Sequence, residues 1–118
     1  MKFLAWSCRG LSRPSAIRSL RGKVRNHSPD VLFLSETKLH PDNATVILNC
    51  LGYFKMTHVA PSGSKGGLLL AWRHDVDIEC ISATVNIINV WCYSDPPNTP
   101  WLLSCIYGPS EKINKPRF

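Results

Sequence analysis

The feature that most constrains this sequence is an apolar run that ends directly on a charge. Residues Val31 to Leu34 are all apolar, Ser35 is small, and Glu36 follows at once. A strand with one face in water would alternate apolar and polar side chains, so this run predicts a strand covered on both faces. The carboxylate that follows it has two interpretations, a solvated loop acid or part of a functional site.

A second apolar run, Phe3–Trp6, comes earlier in the chain and is separated from the first by a helical segment. Pro14 suits the first turn of a helix, and apolar residues follow it at helical spacing. These residues are Ile17, Leu20 and Val24. Strand, helix and strand joined by short links predict a parallel βαβ unit. Glu36 would then lie beyond the carboxyl end of a parallel strand, where open α/β sheets bind ligands.

The rest of the chain predicts one further helix and then a run of strands. The helix is expected at about Asp42–Leu51 and the strands at Tyr53–Val59, Leu68–Trp72, Val76–Ser82, Ile87–Tyr93 and Trp101–Tyr107. A length of 118 residues favours one domain spanning 1–118. The sequence therefore predicts an α/β layered fold with a mixed sheet.

Basic residues are concentrated near the N-terminus. The net charge is +6, and half of the 14 Lys and Arg residues precede Asp30, the first acidic residue. Arg18, Arg21 and Arg25 follow the apolar stripe one residue later, which predicts a basic stripe beside the buried face of the helix. This asymmetry favours a polyanionic partner, above all nucleic acid, and a solvated helix face explains the charge equally well.

The cysteines and the hydropathy pattern bear on the compartment. The five cysteines are an odd number without a C-x-x-C pair, which fits neither a disulfide framework nor a zinc site. Four are expected to be small buried hydrophobes, namely Cys50, Cys80, Cys92 and Cys105. Cys8 falls in a predicted loop, where a catalytic thiol is the less favoured interpretation. No apolar run is long enough for a bilayer span or a signal peptide, so we expect an intracellular protein.

Three strand ends carry recurring motifs. They are FLAWSCRGL at residues 3–11, DVLFLSETKL at 30–39 and LLSCIYGPS at 102–110. Together with GGLLLAWR at 66–73, they resemble the endonuclease/exonuclease/phosphatase family, and most of all the N-terminal endonuclease domain of plant LINE-type (non-LTR) retrotransposon polyproteins. In that family the motifs read Asn-Cys-Arg-Gly-Leu, Glu-Thr and Tyr-Gly-Pro, each after a strand. The resemblance implies the N-terminal half of a four-layer α/β sandwich.

The resemblance also implies roles for individual residues. Glu36 matches the glutamate that holds Mg²⁺ beside the scissile phosphate, and Tyr107 matches the tyrosine whose phenol lies near that phosphate. Ser7 stands at the family's asparagine position. DNA is the implied partner, with a nuclear location. Its backbone would be contacted by Arg9, Arg18, Arg21, Arg25 and Lys38.

Two departures from the family pattern shape the expected function. Serine is shorter than asparagine and lacks its amide donors, so Ser7 cannot make the same contacts. The chain ends at Phe118 without the family's Gly-Asp-Phe-Asn and Ser-Asp-His stretches, which supply the water-activating residue and a histidine beside the phosphate. His74 and Asp75 do not replace them, because they fall in a predicted surface turn. His27, His40 and His58 show no metal-ligand spacing.

The expected function is therefore a retroelement-derived, truncated and catalytically impaired fragment of a Mg²⁺-dependent DNA endonuclease. The alternative is a non-enzymatic, basic nucleic-acid-binding remnant. A lipid or inositol phosphate substrate is disfavoured by the basic stripe. Half of a sandwich would also leave one sheet face without a partner. We therefore expect Trp72, Trp91 and Trp101 to expose apolar surface, with poor solubility, self-association or a marginally stable monomer as the result.

Overall fold

The structure, a computed structural model, describes residues 1–62 and 66–108. Its elements, in chain order, are β1 Phe3–Ser7, α1 Pro14–His27, β2 Val31–Ser35, α2 Pro41–Cys50, β3 Lys55–Val59, β4 Leu68–Trp72, β5 Ile78–Ala83, β6 Ile87–Cys92 and β7 Trp101–Ile106. Each element falls on a segment for which the sequence predicted the same type of structure. The α/β class is thus confirmed.

Four strands form a mixed sheet in the order β1-β2-β4-β3. Strands β1 and β2 are parallel, with Phe3 opposite Val31 and Ser7 opposite Ser35, which confirms the predicted βαβ unit. Strands β3 and β4 complete the sheet as antiparallel neighbours. Because β2 lies between two strands and both of its faces are covered, four of its five residues are buried, as its uninterrupted apolar run predicted.

The other three strands form an antiparallel meander in the order β5-β6-β7, which we call the meander sheet. A register shift between Cys80 and Ser82 marks a bulge in β5. The meander sheet packs on the mixed sheet across a buried apolar cluster. The mixed sheet contributes Val31, Leu68, Leu70 and Trp72 to this cluster. The later part of the chain contributes Val76, Ile88 and Val90. The described residues therefore form three layers, namely helices, mixed sheet and meander sheet.

Both helices cover the other face of the mixed sheet. Helix α1 buries Ala16, Leu20 and Val24, and α2 buries Ala44 and Leu48. The predicted apolar stripe of α1 is wrong in one position, because Ile17 is only half-buried and the smaller Ala16 makes the close contact.

The outer face of the meander sheet carries exposed apolar side chains. Trp91 is 39% exposed, and Leu102 and Ile106 on the neighbouring strand β7 are also exposed. The expectation was wrong for Trp72, which lies in the cluster between the two sheets. Trp101 is half-buried, since its ring packs edge-on against Phe3.

The expectation of four buried cysteines was only partly right. Cys92 is buried and Cys105 is half-buried, whereas Cys50 and Cys80 are exposed. Cys80 lies on the edge strand β5, which is largely exposed along its length, and Cys50 is the last residue of α2. Their apolar neighbours in sequence therefore gave no guide to their environment. No helix within residues 1–62 and 66–108 is long and apolar enough to cross a membrane.

Candidate active site

The residues after β1 and after β2 run side by side. The backbone N–H of Cys8 donates to the Ser35 carbonyl at 2.8 Å, and that of Gly10 donates to the Glu36 carbonyl at 2.8 Å. The parallel pairing of the two strands is thus prolonged past their ends. Glu36 consequently has a defined backbone position, although it lies outside any strand.

A second loop holds the same segment from its other side. The N–H of Glu36 donates to the Gly67 carbonyl at 2.9 Å, and the N–H of Lys38 donates to the Gly66 carbonyl at 2.7 Å. Glu36 and Lys38 both have left-handed backbone conformations, with φ of 55° and 52°. Such conformations are uncommon for residues other than glycine and persist where the surrounding structure enforces them. The hydrogen bonds on both sides supply that enforcement.

Tyr107 reaches the Glu36 carboxylate from the meander sheet. It follows β7 directly, and its backbone N–H donates to the Asn86 carbonyl at 2.8 Å. Its hydroxyl donates a hydrogen bond to Glu36 Oε2, 71 residues away in sequence. The two residues that the sequence motifs single out therefore lie in direct contact.

The carboxylate also governs the phenol's ionisation. The hydrogen bond to Glu36 raises the pKa of Tyr107 above its ordinary value of 10.0, burial and the charge of Glu36 raise this pKa further, and the positive charge of Arg9 opposes them. The phenol is therefore a hydrogen-bond donor at neutral pH. It can offer that bond to a carboxylate or, equally, to a phosphoryl oxygen.

Two basic residues, Arg9 and Lys38, lie on the loops that form the site. Arg9 and Lys38 are exposed, and each follows a strand end of the βαβ unit. Within the described part of the chain, no Lys or Arg side chain forms an ion pair with a carboxylate. The Glu36 carboxylate consequently has a phenol as its polar partner and no fixed cation from these residues.

Arg13 stabilises the loop after β1, a role that the sequence did not reveal. Its guanidinium donates from Nε to the Gly10 carbonyl at 3.3 Å and from Nη2 to the Cys8 carbonyl at 3.2 Å. In sequence Arg13 was only one basic residue among several. No local signal distinguishes it, because its two acceptors are backbone carbonyls that depend on the folding of the loop.

Ser7 is the last residue of β1 and lies opposite Ser35, which immediately precedes Glu36. It is exposed and at the same sheet edge as Glu36. Its side chain forms no hydrogen bond with any residue in 1–62 or 66–108. The structure thus places Ser7 at the edge of the site without giving it a contact there.

The helix arginines lie on a different part of the surface. Arg18, Arg21 and Arg25 are all exposed on α1, in agreement with the predicted basic stripe. The helix begins after Arg13, beside the site, and must run back along the mixed sheet to reach the start of β2. The stripe therefore leads away from Glu36 along the helix.

Cys8 is not equipped to act as a nucleophile. It is buried, and burial together with the nearby charge of Glu36 raises the pKa of its thiol to about 12. A nucleophilic cysteine requires the thiolate, which this environment disfavours at neutral pH. The interpretation of Cys8 as an unreactive residue agrees with this environment.

The histidines do not assemble a metal centre. His74 and Asp75 are exposed in the turn after β4, as predicted. The His40 Nδ1 accepts a hydrogen bond from the Asp42 N–H at the start of α2. Within residues 1–62 and 66–108, no group of three or more His, Cys, Asp or Glu side chains is placed to hold a metal ion.

The donor set at the site suits a hard cation with few protein ligands. Mg²⁺ is bound through one or two carboxylates while it keeps several waters and contacts substrate phosphate. Glu36 supplies one such carboxylate, and within the described residues it belongs to no group of three or more His, Cys, Asp or Glu side chains that could hold a metal ion. The residues present therefore fit one position in a Mg²⁺ shell and leave the others to water and phosphate.

Comparison with known proteins bears on the same region. A family model described as "Endonuclease/Exonuclease/phosphatase family" matches residues 4–110, a range that includes Ser7, Glu36 and Tyr107. No curated protein matches the chain significantly. Among solved structures, the AP endonuclease LMAP from Leishmania major is similar over 90% of this chain, with a TM-score of 0.64 and 20% sequence identity. This chain covers 39% of that structure's length. At such identity the likeness concerns the fold alone.

Proposed function

Because the chain belongs to the endonuclease/exonuclease/phosphatase family, we propose that it carries part of the active site of a Mg²⁺-dependent DNA endonuclease. The observation that carries the proposal is the contact between Glu36 and Tyr107 at the carboxyl edge of the mixed sheet. Glu36 follows a strand of the mixed sheet and Tyr107 follows a strand of the meander sheet, and they meet at the kind of sheet edge where α/β folds bind ligands. The Cys-Arg-Gly-Leu, Glu-Thr and Tyr-Gly-Pro stretches further support an origin in a plant LINE-type retrotransposon, and with it a nuclear location.

Within this proposal the two residues have distinct tasks. Glu36 would hold Mg²⁺, which when bound supplies Lewis-acid stabilisation of a phosphoryl oxygen. Tyr107 keeps its proton at neutral pH and would donate a hydrogen bond toward the charge that develops on the phosphate. Arg9 and Lys38, exposed on the two neighbouring loops, would contact the DNA backbone.

We further propose that this chain alone is catalytically impaired. Phosphodiester hydrolysis requires a group that orients or deprotonates the attacking water. Neither the Gly-Asp-Phe-Asn nor the Ser-Asp-His stretch occurs in the sequence, and no histidine of the described residues hydrogen-bonds to Glu36. Ser7 provides a shorter side chain than the family's asparagine. We therefore expect this site to bind a metal ion and a phosphate more readily than it activates a water molecule.

A second candidate function is nucleic-acid binding without catalysis. It is favoured by the exposed arginines of α1, none of which forms an ion pair within the described part of the chain. Unpaired basic side chains on one helix can neutralise DNA phosphates and release counterions. This function requires neither Glu36 nor Tyr107, which separates it experimentally from the first.

The metal-holding role is tested with a matched pair of glutamates. Glu79 on the meander sheet also accepts a hydrogen bond from a tyrosine, because the Tyr93 hydroxyl donates to Glu79 Oε1 at 2.6 Å. We expect Mn²⁺, used as a paramagnetic substitute for Mg²⁺, to broaden the amide signals of residues around Glu36. The broadening should disappear in Glu36→Gln and persist in Glu79→Gln. Equal broadening in both variants would contradict the metal-holding role of Glu36.

Catalysis is tested by nicking of supercoiled plasmid in Mg²⁺, with EDTA as a control. We expect the wild-type chain to nick no faster than Glu36→Gln. If nicking by the wild type disappears with EDTA and in Glu36→Gln but not in Glu79→Gln, the nuclease assignment stands and the proposed impairment is wrong. If the chain retards plasmid DNA in a gel equally well with and without Glu36→Gln, and the wild type binds no metal, the second candidate function is favoured.

A further inference from the structure

We propose that Gly66 and Gly67 are positioning residues for the Glu36 carboxylate. The two glycines precede β4, and we call them the glycine pair. The inference rests on the proposed function in one respect, since Glu36 is taken as the metal-holding residue. What it adds is a reason for the placement of Glu36 that lies in another part of the chain.

Gly66 is required because of the space that Glu36 occupies. A Cβ added at Gly66 would lie 2.9 Å from Glu36 Cα and 3.3 Å from both Glu36 Cβ and Cγ. Real Cβ atoms essentially never approach another atom within 3.0 Å, so one of the two backbones would have to move. The φ of Gly66 lies outside the left-handed region, so its backbone conformation would accept alanine. The demand for glycine comes from the contact with Glu36 alone.

Gly67 is required for a second reason. Its φ of +94° is one that L side chains rarely adopt. An added Cβ would also lie 3.0 Å from Thr37 Oγ1 and 3.1 Å from the Val59 carbonyl. This conformation directs the Gly67 carbonyl to the Glu36 N–H, at 2.9 Å. Gly67 thus combines a turn with close packing on the residue next to Glu36.

The glycine pair acts on the functional residue itself rather than on the core. The carbonyls of the glycine pair accept hydrogen bonds from the backbone N–H groups of Glu36 and Lys38. These are the two residues after β2 that have left-handed φ. A side chain at position 66 would push Glu36 away from the loop before β4. Because Tyr107 approaches from the other sheet, even a displacement of a few tenths of an ångström would alter the Glu36–Tyr107 contact.

The chain offers two matched control glycines. Gly22 in α1 has no heavy atom within 4 Å of an added Cβ and an ordinary φ, so Gly22→Ala should be harmless or stabilising. Gly52 also has open space but a φ of +95°, so Gly52→Ala should lower stability through backbone strain. Gly52→Ala thereby reproduces a loss of stability without touching Glu36.

The first measurement is backbone amide hydrogen exchange in Gly66→Ala, with neither metal nor DNA present. We expect faster exchange at Glu36 and Lys38, whose acceptors belong to the glycine pair, and unchanged exchange at Tyr53, whose N–H donates to Leu48 at 3.0 Å. In Gly52→Ala, the amide exchange rate of Glu36 divided by that of the β4 residues should be the same as in the wild type. Unchanged Glu36 protection in Gly66→Ala would overturn the inference.

The second measurement is Mn²⁺ affinity for the same variants. We expect Gly66→Ala to weaken the Mn²⁺ affinity by about tenfold or more, as the loss of a residue that orients a metal ligand does. Gly22→Ala and Gly52→Ala should bind as the wild type does. Equal weakening in Gly52→Ala would mean that the effect is one of stability, and the positioning role would be wrong. If the wild type does not bind Mn²⁺ at all while exchange at Glu36 still responds to Gly66→Ala, the proposed function fails and the positioning role stands.

Discussion

At the scale of single residues, the same pair of side chains occurs twice with different consequences. Tyr107 donates to Glu36, and Tyr93 donates to Glu79. In both pairs the carboxylate raises the pKa of the phenol. The first pair joins two sheets at strand ends, whereas the second lies exposed on the meander sheet. A tyrosine–glutamate hydrogen bond is therefore not sufficient to mark a candidate active site. The position of the pair in the fold distinguishes Glu36 and Tyr107 from Glu79 and Tyr93.

Thiol reactivity should divide the cysteines into two classes. Burial raises the pKa of Cys8 to about 12 and that of Cys105 to about 11, and Cys92 is buried. Cys50 and Cys80 are exposed. Titration of the native protein with a thiol-specific chromophore at neutral pH should show two rapid equivalents, and one in either Cys50→Ser or Cys80→Ser. Rapid modification of Cys8 in the folded protein would contradict its buried environment.

The free energy of unfolding should decrease at acidic pH because of His58. Burial lowers the pKa of His58 below its ordinary value of 6.5, and the nearby charge of His40 lowers it further. The native state therefore binds fewer protons than the unfolded chain at this residue. Its contribution is present above pH about 6.5 and is lost as the pH falls through the folded-state pKa.

The measurement is the free energy of urea unfolding between pH 8 and pH 5. We expect a smaller acid-side decrease in His58→Leu than in the wild type. His74→Leu, a substitution in an exposed turn, should retain the wild-type decrease. An identical pH profile in the wild type and His58→Leu would exclude His58 as the source.

At the scale of elements, α1 divides its surface between two tasks. One face packs Ala16, Leu20 and Val24 on the mixed sheet. Arg21 and Arg25 each follow a buried residue by one position, about 100° further around the helix, and both are exposed, as is Arg18. Packing of one face therefore orders a basic row on another.

We expect Arg18, Arg21 and Arg25 to neutralise DNA phosphates. Replacing all three by glutamine should weaken duplex DNA binding regardless of sequence. It should also make the negative slope of log K against log salt shallower by about 0.9 for each phosphate that is no longer neutralised. Replacing all three by lysine retains the charges and should leave the slope nearly unchanged. Fluorescence anisotropy at several salt concentrations measures both. Equal slopes for the wild type and the glutamine variant would contradict DNA binding by this row.

At the scale of the whole molecule, the layers are covered unequally. The mixed sheet has helices on one face and the meander sheet on the other. The outer face of the meander sheet, in contrast, carries exposed Trp91, Leu102 and Ile106. Trp91 and Leu102 are directly opposite one another in the register of β6 and β7, so they form one continuous apolar patch.

We propose that this patch promotes self-association. The weight-average mass, measured by light scattering after size exclusion, should rise with protein concentration. It should rise less in the double variant Trp91→Lys, Leu102→Lys, because charges on the patch oppose its burial. Phe54→Lys, at a 67% exposed position outside the meander sheet, is the matched control and should behave as the wild type does. A compact monomer at all concentrations would contradict the proposal.

Much of the architecture followed from local patterns. Element types and their order could be predicted because strand runs, helical spacing, proline and glycine act within a few residues of one another. The continuous apolar run of β2 indicated coverage on both faces, and the βαβ order indicated parallel pairing with Glu36 beyond the carboxyl end of β2. Local patterns did not predict that Ala16 replaces Ile17 in the core, that Trp72 lies between the sheets, or that Cys50 and Cys80 are exposed. Each of these depends on which neighbouring element is packed against the residue.

The sequence by itself determined which residues could form a site, through three motifs placed at strand ends. Only the tertiary structure decided that Tyr107 meets Glu36 across 71 residues, that Arg13 holds the loop after β1, and that Gly66 leaves the space that Glu36 fills. The physical reason is the range of the interactions. Propensity and periodicity act along the chain, whereas a hydrogen bond or a steric contact between distant segments exists only once the two sheets have packed together.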